Sequence, residues 1–437
     1  MKLEDLTRYS QAISIDSRTI KKGDLFVAIK GKRFDGHDFI KAAFKKGAGA
    51  ALVSRKAPAR YSNKYSLVRV ENTVRALGEL ARLHRMKFKV PVVAITGSSG
   101  KTTAKDMIAF VLSRRYSVLA SESSKNNLIG LPLTLLGLNE THHIVVLEMG
   151  MNHLGEIDRL CSIAEPHIGV VTNIGPSHLE HLGTVRNVFR AKSELLKRLD
   201  KGDTVFLNGD DNFLRKPGRM KCNCVYFGID KSCKFRAENI HHERGKWNFS
   251  LGKQMNFELG LLGKHNIYNA LSAICVGVHF GIDLATIVKR IRAFRPIQPK
   301  RLELKKIGGI QVIDDSYNSN PPSMRRAIEV LSAYKTRGRR IALCGDMGEL
   351  GKRTGYMHRA IGGLIGGSSV DTLITYGDLS RLMGEEARKS GAKDTYHAKS
   401  HIDARNILRR VAKPGDVVLI KGSRAMEMER VIEKLRQ

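Results

Sequence analysis

No apolar run in the 437 residues approaches the ~18 needed to cross a bilayer. The opening MKLEDLTRYS carries acidic residues and no apolar h-region, so neither a membrane span nor a secretory leader is expected. Cysteine is scarce: Cys161, Cys222, Cys224, Cys233, Cys275 and Cys344 are scattered along the chain. Cys222 and Cys224 in KCNC have no second close pair to complete a zinc pattern, which leaves reduced structural thiols and a cytoplasmic location as the expectation. Aromatic residues make up only 6%, and no helix-turn-helix, RRM-type aromatic motif or zinc finger is visible, so stacking platforms for nucleic acid are lacking. No repeat or low-complexity segment stands out. Acidic residues are the scarce charge, 42 against 75 Lys+Arg, a net of +33. Nucleic acid, an anionic membrane surface or a polyanionic small substrate could each match that excess. Residues 1–88, 89–298 and 299–437 carry +12, +10 and +11, so the charge is spread over the whole chain and marks no dedicated patch.

What is present is an ordinary globular composition, 42% apolar and 27% charged, long enough for about three domains at roughly 150 residues each. Residues 1–88 read as a small α/β domain, with strands LFVAI (25–29) and AALVS (50–54) around the helical pattern HDFIKAAFKKGA. Residues 89–298 repeat strand, glycine turn and helix: PVVAIT (91–96), HIVVLEMG (143–150), HIGVVTNIG (167–175) and DTVFLNGDD (203–211) are strands. RNVFRAKSELLKRL (186–199) reads as one helix, 222–262 as a β-meander, and KHNIYNALSAICVGVHFG as a long helix. The two prolines of RPIQPKR (295–301) mark a linker. Beyond it, IQVIDD, RRIALCGDM, VDTLITYG and GDVVLIKGS alternate with helices and predict a Rossmann-like domain over 299–437. The fold class expected is therefore α/β in three domains, the central one a doubly wound, mostly parallel sheet.

The sharpest signal is Gly97-Ser98-Ser99-Gly100-Lys101-Thr102-Thr103, placed between a buried strand and a helix. Glycines admit backbone N–H groups to phosphate oxygens and the helix start adds positive potential. Lys101 would reach the β- and γ-phosphates and Thr102 would bind Mg²⁺. Only two residues separate Gly97 from Gly100, which disfavours helicases and GTPases and points to a narrower group of ATPases. Mg²⁺ needs hard oxygen ligands, and Glu148 stands at a strand end where α/β sheets bind ligands, although such a residue is often merely solvated. His178, after the next strand, could touch metal or phosphate, or be a surface histidine. Lys192 is by default a solvated lysine; desolvated, it would be nucleophilic enough to take up carbon dioxide as a carbamate, an anionic ligand for a second Mg²⁺.

The short GSSGKTT loop, EMGMNHLGEI, NIGPSHLEHLG, the AKSELL lysine and GKHNIYNALSA together resemble the Mur ligase family. DSRTIKKGDLFVAIKG, FDGHDFI, KNNLIGLPLTLL, DDSYNSNPPSM, GDMGELG and LIKGSRAMEME are similar to its branch that adds D-alanyl-D-alanine, and the likeness runs over essentially the whole chain. It implies an ATP-dependent acid–amino-acid ligase joining the dipeptide to UDP-N-acetylmuramoyl-tripeptide, with ADP and phosphate as products. That is the last cytoplasmic step of the peptidoglycan precursor, and so bears on cell-wall biogenesis, cell shape and division. The resemblance assigns Lys101, Thr102 and Thr103 to ATP and Mg²⁺, Glu148 and His178 to metal (two Mg²⁺ are expected), and Lys192 to a carbamylated ligand. His265, Asn266 and Asn269 would contact the nucleotide, and Arg301 and Asp315 would close on its phosphate and ribose. Asp16, Ser17, Arg18, Asp35, Gly36 and His37 would bind the uridine nucleotide, and Asn126, Asn127 and Gly130 would line the sugar-peptide channel. Tyr317, Asn318, Asn320 and the Asp346–Gly351 loop are candidates for the dipeptide. A monomer with at most peripheral membrane association is expected.

Relatives that add diaminopimelate or lysine carry an Asp-Asn-Pro-Arg motif, which is absent, and SYNSNP stands where their Tyr-Ala-His-Thr-type segment would be. Folylpolyglutamate synthases lack a first domain like residues 1–88. The alternatives outside that branch are another amino-acid-adding ligase of the family, a nucleic-acid-dependent P-loop ATPase, and a scaffold with a relict nucleotide site. The complete Lys101, Glu148, His178 and Lys192 set argues against the last.

Overall fold

The runs VVAIT, IVVLE and IGVV show no polar alternation, as expected of strands covered on both faces, and they form the buried parallel strands Val92–Thr96, Ile144–Glu148 and Ile168–Val171. The computed structural model describes residues 6, 9, 12–31, 33–55, 65–123, 125–252 and 255–435. Most of the opening MKLEDLTRYS, and with it the expectation about a leader, lies outside them. Val92–Thr96 sits between the other two strands in a seven-stranded sheet, with Val118–Ala120 beyond Ile144–Glu148 and Thr204–Asn208 beyond Ile168–Val171. The chain thus winds first to one side of Val92–Thr96 and then to the other. The loops leaving those three strands diverge there and open a crevice.

Residues 222–262 depart from the expected meander. Asn223–Gly228 and Phe235–Arg236 extend the parallel sheet beyond Thr204–Asn208, and only Glu238–Glu243, Lys246–Leu251 and Met255–Leu259 form an antiparallel sheet. Lys253 and Gln254 lie outside the described residues. β-type composition does not distinguish parallel from antiparallel partners, which are chosen by tertiary packing. The helix expected over 186–199 is two, Val185–Lys192 and Glu194–Lys197. Lys192 therefore ends the first of them, buried beside Val188 and Ala191.

Four short parallel strands make the first sheet: Ile13–Ser14, Leu25–Val27, Ala50–Val53 and Leu67–Arg69. The following helix Thr73–Arg85 is capped by Asn72, whose side chain accepts from the Arg75 N–H. Its apolar face (Ala76, Leu77, Leu80, Ala81) joins a buried cluster shared by Leu25 and Leu52 of that sheet and by Leu131, Leu135 and Ile157 of the central region. Arg85 fixes the connection to the phosphate-loop strand by donating to the carbonyls of Phe88, Val90 and Ala164.

The C-terminal sheet runs Glu303–Ile307, Ile310–Asp314, Val417–Lys421, Arg340–Gly345, Thr372–Tyr376 and Asp394–Ala398, parallel except for the first pair. The first and last of these strands carry too few apolar residues to have been expected from the sequence, and the helix Leu284–Ala293, capped by Asp283, is a further element beyond those expected. None of the helices formed by the described residues is long and apolar enough to cross a membrane.

Candidate active site

The phosphate loop leaves Val92–Thr96 and enters the helix Lys101–Leu112. Gly97 has φ +146°, and a Cβ there would stand 2.0 Å from Thr172 Oγ1, so only glycine lets the loop lie on the neighbouring strand end. Asn173, at that strand end, accepts from the Ser99 N–H and hydroxyl through Oδ1 and donates to the Ser99 carbonyl. The loop is thereby held in shape before any ligand contributes. Lys101 donates to the Gly97 carbonyl at 2.9 Å, and burial pulls its pKa down against the opposing pull of Glu148.

Below the loop, the Thr102 hydroxyl donates to Glu148 Oε2 at 2.7 Å and Asn126 donates to Oε1 at 2.7 Å. Glu148 is 2% exposed, and its own N–H donates to Ser121. Thr102 and Glu148 thus offer two buried hard-oxygen donors side by side. Among the described residues no group of three or more His, Cys, Asp and Glu could hold a metal. The expected metal residues are therefore no self-sufficient cage, and they suit an ion that keeps water and phosphate oxygens as ligands, as Mg²⁺ does. Lys192 is 1% exposed, so the solvated reading fails. Burial, and then the Lys101 charge, hold its pKa well below the usual lysine range, although Glu148 pulls the other way. His178 has φ +53° at the start of Leu179–Leu182, and its Nδ1 lies 2.6 Å from Glu349 Oε2 in the C-terminal region.

The C-terminal sheet brings a second set of strand ends to the crevice. Asp315 follows Ile310–Asp314 and accepts from Lys421 Nζ at 2.6 Å. Lys421 also donates to the Asn318 carbonyl, and burial raises the Asp315 pKa against that cation. Arg301 lies over the Tyr317 ring at 4.1 Å, its Nε buried and without a hydrogen-bond partner. Asn320 caps the helix Pro321–Ala333 by exchanging hydrogen bonds with Ser323. On the central side, Asn269 donates to Asn266 and Asn266 to the Leu262 carbonyl. Burial, with Arg326 and Lys421 close by, pushes the His265 pKa down to about 3, so this imidazole is neutral at working pH.

A cavity of about 510 Å³ lies between the two sets of strand ends. Of the residues expected in the site, Ser98 to Thr103, Asn126, Asn127, Glu148, His178, His265, Asn266, Asn269, Arg301, Asp315, Tyr317, Asn318 and Asn320 line it. Gly97, Gly130 and Lys192 do not. Gly130 starts the helix Gly130–Leu135, where a Cβ would stand 2.5 Å from Lys125 Cα, so the close packing there requires glycine. Asn127 spends its side-chain oxygen on the Ile129 and Gly130 N–H groups. From the Asp346–Gly351 loop, Gly348 and Glu349 reach the cavity, whereas Asp346 turns away to accept from the Ser380 N–H.

Asp16, Ser17, Arg18, Asp35, Gly36 and His37 gather at the first sheet, outside this cavity. Asp16 and Arg18 form an exposed pair at 2.7 Å, and the Arg18 contacts lower the Asp16 pKa to about 2. His37 is buried, with Nδ1 2.6 Å from Asp35 Oδ1 and Nε2 accepting from the Ser54 N–H. Both ring nitrogens are thus committed within the protein, and His37 shapes the turn. Sequence reasoning missed Lys421 and Arg326, which also line the cavity. Lys421 ends the apolar run VVLIK as Glu148 ends IVVLE, and that parallel could have found it; nothing in SMRRAI singles out Arg326.

Three family models match in order: the Mur ligase family catalytic domain over residues 10–85, the Mur ligase middle domain over 95–277, and the Mur ligase glutamate ligase domain over 300–424. The UDP-N-acetylmuramoyl-tripeptide–D-alanyl-D-alanine ligase of Bacillus subtilis is 35% identical over 97% of this chain and 92% of its own length. The chain belongs to the Mur ligase family. The Escherichia coli ligase of the same name is 33% identical over 98% of this Mur ligase and 94% of its own length. Among solved structures, MurF ligase from Thermotoga maritima in complex with ADP superposes with a TM-score of 0.88 at 30% identity, covering 100% of this chain and 98% of that one. Its three-part α/β architecture is that of this Mur ligase.

Proposed function

We propose that this ligase joins D-alanyl-D-alanine to UDP-N-acetylmuramoyl-tripeptide at the expense of ATP, through an acyl phosphate, as the last cytoplasmic step of the peptidoglycan precursor. The observation that carries the reading is the convergence of the Lys101–Thr102 loop, Glu148 and His178 with Arg301, Asp315 and Lys421 around one cavity, in a chain similar over its length to relatives bearing that name. An unactivated carboxylate resists attack by an amine because oxide is a poor leaving group. Transfer of the γ-phosphoryl group to the tripeptide's terminal carboxylate supplies a good one. The dipeptide amine then attacks, and the tetrahedral intermediate expels phosphate.

The residues of the chain position and neutralise, as phosphoryl transfer demands. Loop N–H groups and Lys101 hold the phosphate chain, and Arg301, its Nε unspent on protein, faces it from the other wall. Mg²⁺ when bound supplies charge neutralisation between phosphate oxygens, and the Thr102 and Glu148 oxygens fit it. A second ion would take His178 through Nε2, since Nδ1 faces Glu349, together with Lys192 as a carbamate. A lysine held neutral by burial fits that modification, because carbon dioxide adds to the free amine. In this reading the division of labour follows 1–88, 89–298 and 299–437: the first binds the UDP-sugar peptide around Asp16–Arg18 and Asp35–Gly36, the second ATP, and the third closes over ATP and receives the dipeptide at Tyr317 and Asn318.

Purified protein should release phosphate from ATP only when both UDP-sugar tripeptide and D-alanyl-D-alanine are present. Release with a single amino acid in place of the dipeptide, or stimulation by single-stranded nucleic acid, would overturn the reading.

A further inference from the structure

Helix Pro321–Ala333 is the element of the C-terminal region lodged against the phosphate loop. A Cβ on Gly175, just beyond the strand end Ile168–Val171, would stand 3.3 Å from Pro322 Cγ. One turn further along the helix, Arg326 crosses to the loop, and its Nη1 donates to the Ser99 hydroxyl. That hydroxyl is already fixed by Asn173, so Arg326 is tied to the most constrained part of the loop. Its guanidinium lines the cavity and forms no ion pair with any described carboxylate. The titratable groups that act on it are Glu329, Tyr268 and Asp211, and it faces the neutral His265 on the cavity wall. A desolvated arginine with most of its donors unspent, facing a loop built for phosphate, is arranged to receive an anion.

We propose that Arg326 binds the polyphosphate chain of the nucleotide from the C-terminal wall, oriented toward the phosphate loop by its hydrogen bond to Ser99. This rests on the ATP-dependent reading above and adds a residue to it. The phosphate loop supplies N–H groups and Lys101 from one side, and Arg326 the planar, bidentate cation from the other. Ser99, itself fixed by Asn173, keeps the guanidinium in register with the loop.

The test is ADP binding by calorimetry in wild type, R326Q, R326K and R325Q, with inorganic tripolyphosphate as a competitor that has the phosphate chain and no base. Glutamine keeps a polar side chain able to reach Ser99 and removes the charge; exposed Arg325 on the same helix controls for loss of one positive charge. R326Q should weaken ADP and tripolyphosphate alike by about tenfold or more, as for loss of a charged hydrogen bond. R326K should recover part of that loss, and R325Q should bind like wild type. In turnover, the R326Q defect should fall on the KM for ATP and leave the KM for the dipeptide within about twofold. ADP and tripolyphosphate binding within twofold of wild type in R326Q would overturn the proposal. So would a loss for ADP with none for tripolyphosphate, which would place Arg326 on the base. If R326Q does not fold, R326K decides alone, and wild-type affinity there would refute the need for a planar, bidentate cation. ADP binding needs neither acceptor nor dipeptide, so a wrong substrate assignment leaves this test standing.

Discussion

The interdomain crevice and the Asp16–Arg18 turn are both charged, and they treat charge in opposite ways. Lys101, Arg301 and Arg326 in the crevice, and the buried Lys192 near Lys101 and Glu148, form no ion pair with a carboxylate among the described residues, and burial depresses the pKa of Lys101 and Lys192. At the turn, Arg18 is exposed and already held by Asp16 through both carboxylate oxygens. Unpaired buried cations are costly unless an anion arrives; exposed pairs are screened and worth little. The crevice is therefore where binding energy is stored for a polyphosphate. At the turn, under the function proposed above, the paired charges would have to be partly released from each other to meet the UDP-sugar peptide.

The largest effect that could break this contrast is at Lys192. Lys192→Ala should lower ligation on the order of 10³-fold or more, with partial recovery on adding short carboxylic acids, read as phosphate release. Activity near wild type would remove the buried lysine from the site's chemistry. Next is Glu148→Gln, which keeps the hydrogen bonds to Thr102 and Asn126 in reach but removes the charge. A loss of about 10²-fold in kcat, with the Mg²⁺ requirement shifted to higher concentration, is expected. At the turn the effects should be smaller and of another kind. Arg18→Ala should raise the KM for the UDP-sugar peptide by about tenfold, leave that for ATP unchanged, and move the melting temperature by no more than about 1 °C.

The smallest effect is a titration. Asp16 is held near 2 by Arg18, below its value in an unfolded chain. The contribution of the pair is therefore present at neutral pH and lost as the pH falls through about 2. Carbon-detected NMR of the Asp16 carboxyl should show that midpoint in wild type and a rise toward the ordinary range in Arg18→Ala.

Much of this was legible in one dimension. VVAIT followed by GSSGKTT announces strand, phosphate loop and helix, because the glycine spacing and the helix start are local features. Glu148 was legible as the last residue of an apolar run. The parallel pairing of Asn223–Gly228 was not, since the same residues suit either strand direction. Arg326 was invisible because its partner Ser99 lies 227 positions away, and no local pattern distinguishes a helix arginine that crosses to another domain from one that faces water.

Composition, length and motif spacing thus determined the three-part α/β plan, the phosphate loop and the excess of positive charge, all of which depend on short-range chemistry. Tertiary structure alone decided which positive charges matter. Of the 75 Lys and Arg residues, a few are brought to facing strand ends and stripped of water, and Lys192 changes from a default surface lysine to a buried amine. Burial and partner choice are properties of contacts between distant segments, and only the folded chain fixes them.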